Sequence, residues 1–171
     1  MFIAHAPSGY IMAISLINRA KNISVSAIAV ITVGMFGAIA PDLDILYFYL
    51  VDNRQTNHRK YITHWPILWL TTLVISIAWL YLSKNKKSPF LILIFSLGGL
   101  LHVILDSLAG GILWFSPFID KPYALVVIPA AFKPWWLSFI LHWTFVVELG
   151  ICILSLFICR QRSNKSIQPT R

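Results

Sequence analysis

A polytopic, all-α membrane bundle is expected from three features of this 171-residue chain. Hydrophobic residues make up 58% and charged residues only 12%, against ~45–50% and ~25% in soluble domains. Four apolar runs, residues 23–40, 66–83, 89–105 and 137–159, reach or approach the ~17–25 residues that cross a bilayer as helix. The basic residues gather between these runs. Together these features exclude a disordered chain, a disulfide scaffold and an ordinary soluble domain.

Each element has a local reason. A shorter run, residues 8–18, precedes the four spans and is expected to form a short N-terminal helix. Arg19, the first basic residue, follows that run, so a cleavable signal peptide is not expected. Pro41 is expected to close the first span. Pro66 and Pro89 are expected to open the next two, where a helix tolerates proline best. Residues 1–159 read as one membrane-embedded domain and residues 160–171 as a basic tail. Cys152 and Cys159 lie seven apart in one run, too far for a disulfide within a helix.

The net charge of +8 is explained by topology, and no nucleic-acid partner is expected. Arg19 and Lys21 form one basic cluster, Lys84, Lys86 and Lys87 a second, and Arg160, Arg162, Lys165 and Arg171 a third. Alternating spans put all three on one side. The positive-inside rule makes that side cytoplasmic, with the C-terminal tail inside.

The polar chemistry collects at the opposite ends of the helices. Asp42 and Asp44 belong to Pro41-Asp42-Leu43-Asp44 at the end of the first span. His58, Arg59 and His64 lead into the second. His102 and Asp106 end the third, and His142 starts the fourth. His5 joins them if the N-terminal helix runs inward. His102 and Asp106, four apart, share a helix face. Imidazoles and carboxylates together suit zinc, manganese or iron. A divalent ion would offset the cost of placing these acids near lipid, and could lower the pKa of bound water. Arg59 is suited to an anionic oxygen such as that of a phosphate.

Each piece has a bland counterpart. A lone interfacial histidine is usually a polar tip. Pro41–Asp44 alone reads as a helix stop followed by a start, and His102 with Asp106 as a pair joining helices. The convergence of all of them at one depth favours a site. His142 is left open as ligand, support or interfacial residue. Glu148, mid-span, is expected to be protonated or paired, outside the site. Trp65, Trp69, Trp114, Trp135, Trp136 and Trp143 read as an interfacial belt. Gly98-Gly99 suits close helix packing, and Gly110-Gly111 a rim of the site. Residues 115–134, with four prolines, are expected to run irregularly along the outer surface as a lid or substrate rim. The absence of HExxH and GxSxG argues against a zincin protease or serine esterase. Ala6-Pro7-Ser8-Gly9-Tyr10 has Tyr10 where lipid phosphatases carry the histidine of their Pro-Ser-Gly-His.

In order, His5, Pro-Asp-Leu-Asp, His-Arg-x3-Thr-His and His-x2-Leu-Asp-Ser followed by glycines and Trp-Phe-x-Pro resemble the YdjM-like family of bacterial inner-membrane metal-dependent hydrolases. The resemblance covers residues 1–117. Lys60 and Trp65 depart from the Gly and Ser of the family's His-Arg-Gly-x-Thr-His-Ser. The family is also similar to zinc-dependent phospholipase C proteins, which use His and Asp ligands in a helical core. The resemblance implies a hydrolase with metal ligands His5, Asp42, His58, His64, His102 and Asp106. Zinc is expected, as one or two ions, with manganese or iron as alternatives. Asp44 is the candidate bridging ligand or general base, and Arg59 the candidate anion stabiliser. The expected substrate is a lipid or other amphiphile with an ester or phosphoester bond. The alternative is a non-enzymatic metal-binding membrane protein, either a transporter or an assembly or structural factor. The inner helix halves are nearly all apolar, which argues against transport.

Overall fold

The computed structural model describes residues 3–167; within it, the side chains of Trp135 and residues 165–167 are left undescribed. The Arg171 part of the basic tail therefore lies outside the described residues. Seven α-helices follow in order among them: α1 (His5–Asn22), α2 (Ala27–Ile39), α3 (Asp44–Leu50), α4 (Pro66–Leu82), α5 (Lys87–Ala109), α6 (Trp135–Ile140) and α7 (Thr144–Ile167). No strand appears among these residues, only an isolated bridge between Ile112 and Tyr123. The all-helical membrane bundle stands.

Its boundaries differ from the sequence expectation in four places. The N-terminal helix runs from His5 to Asn22, a full 18 residues. Pro41 does not close the first span. A 3-10 turn, Ala40–Leu43, carries the chain from α2 into α3, with proline at its start, where a missing N–H costs little. Ala27–Leu50 thus forms one apolar stretch. Among the described residues, three helices are long and apolar enough to cross a membrane, Ala27–Leu50, Lys87–Ala109 and Thr144–Asn164, and Pro66–Leu82 is a shorter apolar helix. The fourth apolar run is broken between α6 and α7, and α7 continues beyond Cys159 to Ile167.

Helix ends follow familiar chemistry. The Ser26 side chain accepts a hydrogen bond from the Ala29 N–H and caps α2. Pro66 opens α4. Lys86 Nζ donates to the carbonyl of Leu80 at the end of α4, a cation at the negative helix terminus.

The bundle centres on α2, which packs on α1 and α5; α5 in turn packs on α4, and α7 lies against α1. Glycines let the backbones meet. A Cβ at Gly9 would stand 2.6 Å from the Gly34 carbonyl oxygen, joining α1 to α2. One at Gly98 would stand 2.7 Å from the Ala38 nitrogen, joining α5 to α2. In lipid, where no solvophobic force drives helices together, such close contact is a main source of association. The core has two parts. Ala13, Ile17, Val30, Phe90 and Ile94 fill the inner end of α1, α2 and α5. Ala40, Trp69, Val103 and Ile112 pack beneath the polar end. Glu148 of α7 is buried and its carboxylate accepts a hydrogen bond from the Ile3 N–H at 2.8 Å. It is paired, as expected, and holds α7 to the start of α1.

Substitution tests this contact pattern. Gly98→Ala should force α2 and α5 apart and cost about 1–3 kcal/mol. Nothing lies within 4 Å of a Cβ at Gly150, so Gly150→Ala should be neutral or gain up to ~1 kcal/mol. Thermal unfolding in detergent reads both; equal midpoints would contradict the close approach.

Candidate metal centre

Four helix ends and one loop deliver the polar groups to one place. α1 begins at His5, and the 3-10 turn after α2 carries Asp42. Asp44 starts α3. Two further 3-10 turns, His58–Lys60 and Ile62–His64, bring His58, Arg59 and His64 ahead of α4. Asn57 caps the first of these turns by accepting from the Arg59 N–H. His102 and Asp106 lie on the last turns of α5. Because α1 and α4 run opposite to α2 and α5, all these positions fall at the same end of the bundle.

The centre of the cluster is formed by His64, His102 and Asp42. His64 and His102 are wholly buried. His64 Nε2 lies 3.5 Å and His102 Nε2 3.6 Å from the same Asp42 oxygen. Neither Nε2 has a hydrogen-bond partner. Donor atoms around a tetrahedral zinc with bonds of about 2.0 Å stand about 3.3 Å apart. The observed spacing is close to that and long for a hydrogen bond.

The other nitrogen of each ring is fixed. His102 Nδ1 lies 2.8 Å from the carbonyl oxygen of Ala38. A carbonyl only accepts, so Nδ1 carries the proton and Nε2 presents its lone pair to the cluster. His64 Nδ1 lies 2.8 Å from Asp44 Oδ2, which also accepts from the Thr63 hydroxyl. This is the carboxylate–histidine arrangement that orients imidazoles toward metals. Burial alone would push the His64 imidazole down, but Asp42 and Asp44 outweigh it and hold its pKa up at about 9. A cation between the rings would serve the same carboxylates in place of that proton.

The remaining groups surround this centre. His5 stacks on His102 with ring centroids 3.8 Å apart, and its Nε2 lies 3.2 Å from Asp106 Oδ1. Arg59 Nε donates to Asp106 Oδ2 at 2.9 Å. His58 Nδ1 lies 3.7 Å from Asp44 Oδ1. Among the described residues, three groups have donor atoms within 4.8 Å of one another: His5, Asp42 and His102; Asp42, His58 and His64; and His64, His102 and Asp106. Their members are the six residues expected from the sequence. The side chains of Asp42 and His58 are 27% and 26% exposed, so the cluster opens to the surface on their side.

Asp44 is expected from the sequence as a bridging ligand or general base. It is buried, belongs to none of the three groups, and engages the outer nitrogen of His64. His142 lies apart, its Nδ1 beside the Thr144 hydroxyl at the start of α7. Residues 115–134 are irregular as expected. Leu125 and Val126 donate backbone hydrogen bonds to the carbonyls of Ser107 and Leu108, which ties this segment over the end of α5.

Some supporting residues escaped the sequence reading. Trp69 is buried and donates to the Thr63 carbonyl, and Trp65 donates to that of Lys60. Trp114 donates to the Ser107 hydroxyl. These three brace the walls of the site, a role that a belt assignment does not capture. A tryptophan close to a histidine motif was the available signal. The Ala38 carbonyl left none, because any residue carries one.

The family model of the YdjM inner membrane protein matches residues 1–165. No curated protein and no solved structure matches the chain.

Proposed function

The chain belongs to the YdjM inner membrane protein family, and from that membership and the cluster above we propose a membrane-embedded, metal-dependent hydrolase. The observation that carries this reading is the pair of buried, unpartnered Nε2 atoms on His64 and His102 facing one Asp42 oxygen. Leaving such atoms unsatisfied costs about 1–3 kcal/mol each, and a cation removes that cost. His64 and His102 would hold it through Nε2 and Asp42 through its carboxylate. His5, His58 and Asp106 flank this position and extend it toward a second. Zinc fits the donor set best, with manganese or iron sharing its preferences. When bound, such an ion supplies Lewis acidity and a water of lowered pKa.

The protein's own groups do the rest. Asp44 and the Ala38 carbonyl keep the two imidazoles in the tautomer that presents Nε2. Arg59 sets a permanent positive charge beside the cluster for an anionic oxygen. The substrate is a lipid or other amphiphile with an ester or phosphoester bond, because the site lies at the ends of apolar helices. Arg19, Lys21, Lys84, Lys86, Lys87, Arg160 and Arg162 all belong to the opposite end of the bundle. That distribution supports an extracytoplasmic site and a cytoplasmic C-terminus.

Elemental mass spectrometry on detergent-purified protein tests the metal. The native chain should carry one or two equivalents, and His64→Ala and His102→Ala should lose it while inserting normally. A metal-free native chain, purified with metal added and no chelator, would instead favour a polar cluster that joins helices. Asp44→Asn should keep the site but weaken metal affinity by about 10–100-fold, read by competition with a chromophoric chelator. An unchanged affinity would remove Asp44 from the orienting role. Hydrolysis of ester and phosphoester amphiphiles by the metal-loaded chain separates an enzyme from a metal-binding factor.

A further inference from the structure

Beside the cluster lies an open pocket of about 440 Å³, within the ~300–1,000 Å³ of small-molecule sites. Arg59 is its one charged lining residue; Val126, Val127, Ile128 and Phe139 give it apolar walls. Arg59 uses Nε for Asp106, which fixes the guanidinium plane. Ala109, Gly110 and Gly111 line the same pocket at the end of α5.

Gly110 leaves room for this position of Arg59. A Cβ there would stand 2.6 Å from both Cζ and Nη1 of Arg59. The Gly110 backbone itself, at φ −145° and ψ 142°, is extended and open to any residue. A side chain at this position would push aside the guanidinium that lies across it.

A second, apolar cavity of about 350 Å³ shares Tyr123 and Ala124 with the first. It is lined by Ile104, Trp114 and Leu125. Ile104 is half-exposed on the span α5, about 7.5 Å of helix rise below Ala109. A charged receptor at the helix end therefore adjoins an apolar groove leading toward the bilayer interior.

We infer that these adjoining cavities bind a phosphomonoester lipid, with its phosphate on Arg59 and its chain passing Tyr123 and Ala124 to lie along Ile104, Trp114 and Leu125. This deepens the hydrolase reading and rests on it for treating the cavity as the substrate's place. With Nε on Asp106, the two Nη groups can take two oxygens of a phosphate, and a phosphomonoester still presents a third toward the cluster beyond Asp106. A carboxylate would have none left. The apolar walls select a lipid over free phosphate.

The test titrates the detergent-purified full chain by tryptophan fluorescence with dihexanoyl phosphatidic acid, dihexanoylglycerol, inorganic phosphate and hexanoate. The phosphatidic acid should bind at least about tenfold more tightly than each of the others. Arg59→Gln and Gly110→Ala should reduce it to the level of dihexanoylglycerol. Gly110→Ala displaces only the mobile end of Arg59 and leaves all six candidate ligands in place, so its metal content should equal that of the native chain. Equal binding of dihexanoylglycerol, of inorganic phosphate or of hexanoate would each overturn the inference. So would a Gly110→Ala chain that keeps the native preference. Metal content measured on the same samples separates the two readings. A native chain without metal that still prefers the phosphatidic acid sinks the hydrolase and leaves the lipid site; a metal-loaded chain without that preference does the reverse.

Discussion

The hydrogen bond from His102 Nδ1 to the Ala38 carbonyl links the two central helices at the depth where the chemistry begins. It depends on α2 and α5 approaching at Gly98. It also depends on a carbonyl being available in the last turn of α2, where intrahelical donors run out. Pro41, two residues past the α2 terminus, brings no N–H to compete for it. With this bond in place His102 has one tautomer and one direction, and Asp42, in the turn that follows, faces its free nitrogen.

The same logic is repeated across the site with different partners. Asp44 does for His64 what Ala38 does for His102, and Thr63 holds Asp44. Asp106 joins His5 to Arg59. Trp69, Trp65 and Trp114 then tie the loops to their helices through indole N–H groups that donate to the Thr63 and Lys60 carbonyls and the Ser107 hydroxyl. In this way every segment that supplies a polar side chain is itself held by a polar bond. That matters near lipid, where an unpaired group has no water to turn to.

Much of this was legible in the sequence because it rests on residue type and helical period. The apolar runs set the fold. The basic clusters placed one polar end opposite another, and the four-residue step from His102 to Asp106 put both on one face of α5. What escaped has physical reasons. Pro41 reads as a helix stop, yet a 3-10 turn accepts it, so α3 was missed. Asp42 and Asp44 look alike two residues apart, and only the turn decides that one faces the two Nε2 atoms and the other the outer nitrogen of His64. The Ala38 carbonyl is backbone and has no letter of its own. Gly110 was read as a rim, but its reason, room for a guanidinium arriving from a loop 51 positions earlier, exists only once the chain is folded.

Charge accounting ties the centre to its pocket. Asp42, Asp44 and Asp106 are answered by Arg59 and by the proton that Asp42 and Asp44 hold on His64. A cation bound between the imidazoles would displace that proton and take over its share of the balance. A ligand with its own negative charge would reach Arg59 as well, whereas an uncharged ester would leave that guanidinium to Asp106 alone. On this argument the charge held by the cluster and the nature of its ligand are one question.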